Sequence, residues 1–147
     1  MRILLADDDS ETLREVSALF TADLELVAIA RDGAELIAAA QALRPDIVVT
    51  DVAMPVVNGI EASRELLAGK CCEAVVILSA HESPEIIRAA FEAGARAYVL
   101  KVNAGEDLVA AVQAVAQGNF FLSAVLRART DFDPGSLTNS RDKIPRQ

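Results

Sequence analysis

The chain has 147 residues, 52% hydrophobic and 24% charged, with a net charge of −8. That is enough for one domain around one core and too apolar for a disordered chain, and no apolar run approaches the ~20 residues of a membrane span. Residues 1–126 alone carry −10, offset by five basic and three acidic side chains in the last 21 residues, so this surface is not expected to bind nucleic acid or anionic lipid.

From the N-terminus, Met1-Arg2 leads straight into a short apolar run, Ile3–Ala6. It is too short for the apolar region of an export signal, so the cytoplasm is the expected compartment. Ser10 can cap a first helix carrying Leu13, Val16, Leu19 and Phe20 on one face. A second run, Leu24–Ala30, follows. Asp32 with Glu35 resembles a capping box for a second helix, whose stripe is Leu36, Ile37, Ala40 and Leu43 and which Pro45 ends. After the run Ile47–Thr50, Asn58 with Glu61 predicts a third helix start and Gly69 its stop. The run Ala74–Ser79 precedes Ser83-Pro84, which opens a fourth helix burying Ile86, Ile87, Ala90 and Phe91 and closing at Gly94. The last run, Ala97–Leu100, precedes a fifth helix with Leu108, Val109, Val112, Val115 and Ala116, ending at Gly118.

Most of these runs are continuous rather than alternating, which marks strands buried on both faces, as in a parallel sheet. Five strand–helix repeats predict right-handed crossovers and an α/β, doubly wound sheet. From Asp131 the chain turns polar, and Asp133-Pro134-Gly135-Ser136 reads as a linker or tail. Cys71 and Cys72 are adjacent, a geometry ill-suited to a mutual disulfide. With no C-x-x-C and one histidine there is no zinc spacing, and reduced thiols are expected.

The residues that follow the strands carry the chemistry. The first run ends in Asp7-Asp8-Asp9, the third in Thr50-Asp51, the fourth in Ser79-Ala80 and the fifth in Leu100-Lys101. In a doubly wound sheet the ligand site lies at the carboxyl ends of the strands, so these side chains should converge on one rim. A carboxylate cluster repels itself, and a hard divalent cation removes that penalty. Mg²⁺ commonly takes one or two carboxylates plus phosphate oxygens, which suits Asp8 and Asp51 as direct ligands, Asp7 as a direct or water-mediated one, and a backbone carbonyl just after Asp51. An aspartate can act as a nucleophile on phosphorus, with cations on the phosphoryl oxygens. Lys101 supplies one cation, Ser79 a hydroxyl donor, and Ala80 room for the incoming group.

Asp7-Asp8, Asp51 with Met54-Pro55 and Asn58-Gly59 behind it, Ser79-Ala80, and the stretch from Gly94 to Lys101 together resemble the response-regulator receiver family over about residues 1–120. The resemblance implies a flavodoxin-like (βα)5 fold with five parallel strands in the order 2-1-3-4-5. It implies Asp51 as phosphoacceptor for a histidine kinase or phosphotransfer protein. Asp7, Asp8, Asp51 and the main-chain carbonyl of Ala53 would be Mg²⁺ ligands, Lys101 and Ser79 phosphoryl-binding residues, and Tyr98 a switch residue that turns inward. It also implies a protein that catalyses only its own phosphorylation and dephosphorylation, with a homodimer possible on phosphorylation.

Gly118-Asn119-Phe120-Phe121-Leu122-Ser123, with Leu137-Thr138 farther on, is similar to the junction of LuxR/NarL-type regulators. Residues 121–147 then read as a linker toward a helix-turn-helix output domain that would supply DNA binding and regulate transcription. A receiver cut short of that domain is favoured over one acting alone through protein contacts. Receivers often carry proline after the lysine with a cis bond. Here Val102 follows Lys101, and a trans bond is expected. Ala53 and His81 occupy positions that tune dephosphorylation in the family, and neither is a strong acid or amide, so a long-lived phosphoryl group is expected. A haloacid-dehalogenase-type phosphatase would want a second aspartate at Ala53, and a flavodoxin-like electron carrier a hydroxyl- and glycine-rich loop after the first strand. A pseudo-receiver without phosphorylation sits poorly with the complete residue set.

Overall fold

The computed structural model describes residues 1–130 and 133–135. Its strands are β1 (Arg2–Ala6), β2 (Glu25–Ala30), β3 (Ile47–Thr50), β4 (Ala74–Ser79) and β5 (Ala97–Leu100), alternating with helices α1 (Ser10–Ser17), α2 (Gly33–Leu43), α3 (Gly59–Ala68), α4 (Pro84–Glu92) and α5 (Ala104–Ala116). Every residue of β3, β4 and β5 is buried, which is why their sequences run apolar without alternating. All pairings are parallel. One apolar cluster joins the sheet to α1 and α5. The other joins its opposite face to α2, α3 and α4. This is the doubly wound α/β arrangement.

The strand count needs correcting. Among the described residues the sheet has six strands, in the order β2-β1-β3-β4-β5-β6, not five. The sixth, β6 (Phe121–Leu122), pairs parallel with β5 through Ala97↔Phe121 and Tyr98↔Leu122. Two residues are too few to show a period, so only the ladder to β5 identifies them as a strand. A further helix, α6 (Ala124–Thr130), follows and buries Leu126 in the same cluster as α2, α3 and α4. Of the linker expected over 121–147, the part up to residue 130 holds β6 and α6, and the rest, including Leu137-Thr138, lies outside the described residues except for Asp133–Gly135, where the Gly135 amide donates to the Asp133 carboxylate at 3.0 Å.

Helix ends follow local chemistry, with two adjustments. Asp32 and Asn58 cap α2 and α3 by accepting from the amides of Glu35 and Glu61. At α1 the cap is Asp9 rather than Ser10. Its carboxylate accepts from the Glu11 amide and the Thr12 hydroxyl, and its charge suits the helix N-terminus better than a neutral hydroxyl does. Pro84 opens α4 and Gly69 caps α3 as expected. At the end of α2, Arg44 takes a left-handed conformation (φ 49°) and Leu43 turns outward, so the stripe stops short of it. Cys71 and Cys72 are free thiols, and burial pushes the Cys72 thiol up to about 12, ahead of the charge of its neighbours.

Candidate phosphoryl-acceptor site

The parallel register brings the carboxyl ends of β1, β3, β4 and β5 to one rim. Ala6 lies beside Thr50, Thr50 beside Ile77, and Ser79 beside Leu100. Asp7, Asp51 and Lys101 each follow one of these strand ends. The Asp7 amide donates to Ala30 and the Asp51 amide to Ala6, at 3.0 and 2.9 Å, so the sheet's own hydrogen bonding fixes where both carboxylates begin.

Lys101 Nζ lies 2.7 Å from Asp7 Oδ2 and 3.1 Å from Asp51 Oδ2. Carboxylate oxygens of Asp7, Asp8 and Asp51 all lie within 4.8 Å of one another. Asp7 is wholly buried, Asp51 nearly so and Asp8 exposed. Asp7 Oδ1 accepts from the Asp9 amide at 2.9 Å, and Asp51 Oδ1 from the Val52 amide at 2.7 Å. Among the described residues Asp7 Oδ2 has no hydrogen-bond partner. The ammonium beside it forms an ion pair by distance, outside the angles of a directed bond. Burial holds the Asp7 carboxyl above its usual range and the nearby Asp51 charge adds to this, against the opposing pull of Lys101 and the Asp9 amide. For Lys101, burial alone would lower the ammonium, but contact with Asp7 and Asp51 outweighs it and holds the amine charged.

Ser79 and Tyr98 both bond to the backbone of His81, through the peptides on either side of its Cα. The His81 amide donates to Ser79 Oγ at 3.0 Å, and the Tyr98 hydroxyl donates to the His81 carbonyl at 2.9 Å. The Tyr98 ring is wholly buried. Burial pushes its phenol up, with Ser79 opposing and the Asp51 charge reinforcing. Ala53, Ala80 and His81 are exposed around the notch. Lys101 opens a 3₁₀ turn through Asn103. The bond before Val102 is trans, and the Val102 side chain is 86% exposed.

Two helix-opening glycines, Gly33 of α2 and Gly59 of α3, mark close approaches to the β3–α3 loop and its start. A Cβ on Gly59 would meet the Asp51 carbonyl oxygen at 1.8 Å, and one on Gly33 the Val57 carbonyl oxygen at 1.9 Å. One group at this site was not singled out from the sequence. Thr50, fully buried at the end of β3, donates its hydroxyl to the Asp51 carbonyl at 3.0 Å. Its only sequence signal is a polar residue closing an otherwise aliphatic strand.

The fold is a doubly wound parallel sheet with an acid cluster, a hydroxyl and an ammonium gathered at its carboxyl rim, where open α/β sheets carry their ligand sites. Comparison with known proteins gives the family. The response regulator receiver domain matches residues 3–113. The DNA-binding transcriptional activator DevR/DosR of Mycobacterium tuberculosis is 37% identical over 124 residues, 83% of this chain and 57% of that protein. The uncharacterized transcriptional regulatory protein YxjL of Bacillus subtilis is 33% identical over 132 residues, 88% of this chain and 60% of that protein. Among solved structures, a LuxR-family two-component response regulator from Aurantimonas superposes with a TM-score of 0.80 at 31% identity, covering 88% of this chain and 93% of that one. The signal receiver domain of the putative response regulator NarL from Mycobacterium tuberculosis superposes with a TM-score of 0.76 at 26% identity, covering 80% and 97%.

The chain belongs to the response regulator receiver family, and its structural neighbours are of the LuxR/NarL type. Proteins of this family are two-component signalling and transcription regulators rather than classical enzymes. The chain spans less than two thirds of the length of these two curated relatives.

Proposed function

We propose that this chain is a phosphorylation-activated switch in which Asp51 accepts a phosphoryl group from a histidine kinase or phosphotransfer protein in a Mg²⁺-dependent reaction. The observation that carries this reading is the placement of Lys101 Nζ against both Asp51 and Asp7 at the mouth of a three-carboxylate cluster. The site fits a hard divalent cation. All the donors are oxygens, and the buried Asp7 Oδ2 has no hydrogen bond to spend elsewhere. Asp7, Asp8, Asp51 and the main-chain carbonyl of Ala53 would hold it. When bound, Mg²⁺ neutralises the acid cluster and the charge on the phosphoryl oxygens.

The Asp51 carboxylate would attack phosphorus, an O–P bond forming as the donor's P–N bond breaks, and the donor ring, protonated on its other nitrogen, leaves as neutral imidazole with the electron pair. Lys101, charged through its contacts with Asp7 and Asp51, then pairs with a phosphoryl oxygen. Ala80 leaves the approach open, and Ser79 turns its hydroxyl to the phosphoryl group. Because the His81 backbone bonds to Ser79 through its amide and to Tyr98 through its carbonyl, that movement would reach β5 and the face of α4, β5 and α5. The exposed Ala53 and His81 bring neither a strong acid nor an amide to orient water, consistent with a long-lived phosphoryl group and with no sustained phosphatase turnover.

The output would be transcriptional, through a helix-turn-helix domain reached by the segment after α6, with dimerisation of the phosphorylated form. A histidine-kinase donor fits the cytoplasm. No helix among the described residues is long and apolar enough to cross a membrane.

Acetyl phosphate with Mg²⁺ is expected to add one phosphoryl mass to the parent chain and none to Asp51→Asn, read by intact-protein mass spectrometry. Asp8→Ala is expected to remove the Mg²⁺ requirement's saturable response along with most of the labelling. Labelling that survives Asp51→Asn refutes the assignment.

A further inference from the structure

Thr50 closes β3 with no exposed surface, after three aliphatic residues. Valine would fill that space with almost the same shape, so packing does not account for the hydroxyl. A buried hydroxyl needs a partner, and Thr50 Oγ1 has two neighbours: the main-chain carbonyl of Asp51 at 3.0 Å and Met54 Sδ at 3.8 Å. One proton serves both, and the carbonyl is the stronger acceptor.

That carbonyl shares a rigid plane with the Val52 amide, since the two belong to one trans peptide. Holding the carbonyl end therefore aims the N–H end. The Val52 N–H points at Asp51 Oδ1 and donates to it at 2.7 Å. Gly59 packs closely against the same peptide: a Cβ there would lie 1.8 Å from the same carbonyl oxygen, and its amide donates to the Val52 carbonyl at 2.8 Å. The peptide is thus clamped by a hydroxyl, a glycine and the carboxylate it serves. With Oδ2 on Lys101 at 3.1 Å, both oxygens of Asp51 have a directed donor.

We propose that Thr50 is a positioning residue: its hydroxyl sets the Asp51–Val52 peptide so that the Val52 amide holds the Asp51 carboxylate in the orientation that accepts a phosphoryl group. This rests on Asp51 being the phosphoacceptor. In-line transfer is sensitive to nucleophile orientation, so a freed peptide plane slows transfer without removing any reacting atom.

The test uses the whole chain and three variants: Thr50→Val, Thr50→Ser, and Thr50→Ala as a second hydroxyl-free form if valine does not fold. Two readouts are followed, the Val52 amide proton by ¹⁵N-resolved NMR and the rate of labelling by acetyl phosphate with Mg²⁺. A charge-assisted N–H···O⁻ bond draws the amide proton downfield. The hydroxyl-free variant is expected to move this resonance upfield and to slow labelling roughly fivefold. Thr50→Ser is expected to restore both. A purely structural role would lower the melting temperature of Thr50→Val and leave the resonance and the rate where they were. If either readout in the hydroxyl-free variant matches the parent, the role assigned to Thr50 is overturned. A parent chain that takes no label at Asp51 overturns the phosphoacceptor reading instead, which the parent's own mass spectrum reports separately.

Discussion

Leu126 offers a direct measure of where the receiver unit ends. It lies in α6, past the end of the (βα)5 pattern at about residue 120, and has no exposed surface in the cluster shared by α2, α3 and α4. Leu126→Ala removes three buried carbons. At ~0.8 kcal/mol each the lost transfer free energy is about 2.4 kcal/mol, and the cavity left behind adds to it, within the ~2–5 kcal/mol of buried leucine truncations. For a chain of this length each kcal/mol corresponds to roughly 3–5 °C, so the midpoint of thermal unfolding should fall by at least about 7–12 °C. Val125, its neighbour in the same helix, is 38% exposed, and Val125→Ala should stay within about 1 kcal/mol of the parent. Urea unfolding followed by far-ultraviolet circular dichroism gives both values. If Leu126→Ala changes stability by no more than Val125→Ala, α6 contributes nothing to the core and the unit stops before it.

Two further outcomes follow from the site. The folded-state pKa of Asp7 lies above its unfolded value near 3.8, chiefly through burial, so the folded state binds the extra proton. Stability from this group is full below 3.8 and is lost as pH rises through the folded value. In metal-free buffer Asp7→Asn should therefore be more stable than the parent at neutral pH, with the advantage shrinking as pH falls toward 3.8. Urea midpoints across that range check it, and a less stable variant at pH 7 contradicts it. Gly59→Ala would place its Cβ 1.8 Å from a backbone oxygen with no flexible end to move aside. A cost of about 3 kcal/mol or more is expected, with loss of labelling at Asp51, and a variant of parental stability and labelling would show that the loop is not held against α3.

Much of this architecture follows from local patterns. Aliphatic runs of four to six residues can be satisfied only by burial on both faces, and Asp32, Asn58 and Pro84 begin helices through contacts within one turn. The site residues could be named because each follows a strand, and parallel strands deliver their ends to one rim. Resemblance to a known family then attached roles to them.

What the linear pattern could not supply is whatever depends on a partner distant in the chain. The strand at Phe121–Leu122 is identified by its ladder to β5. Asp7 and Asp8 are neighbours of the same type, yet one is sealed with an unbonded oxygen and the other stands in solvent. Thr50 acquires its hydroxyl's purpose from a peptide orientation that Gly59 helps to impose. Residue type and order determined which groups this protein carries to the rim. Packing across the sheet decided which of their oxygens are buried, which are bonded, and in what direction they point, because burial and hydrogen-bond geometry depend on neighbours that sequence order leaves far apart.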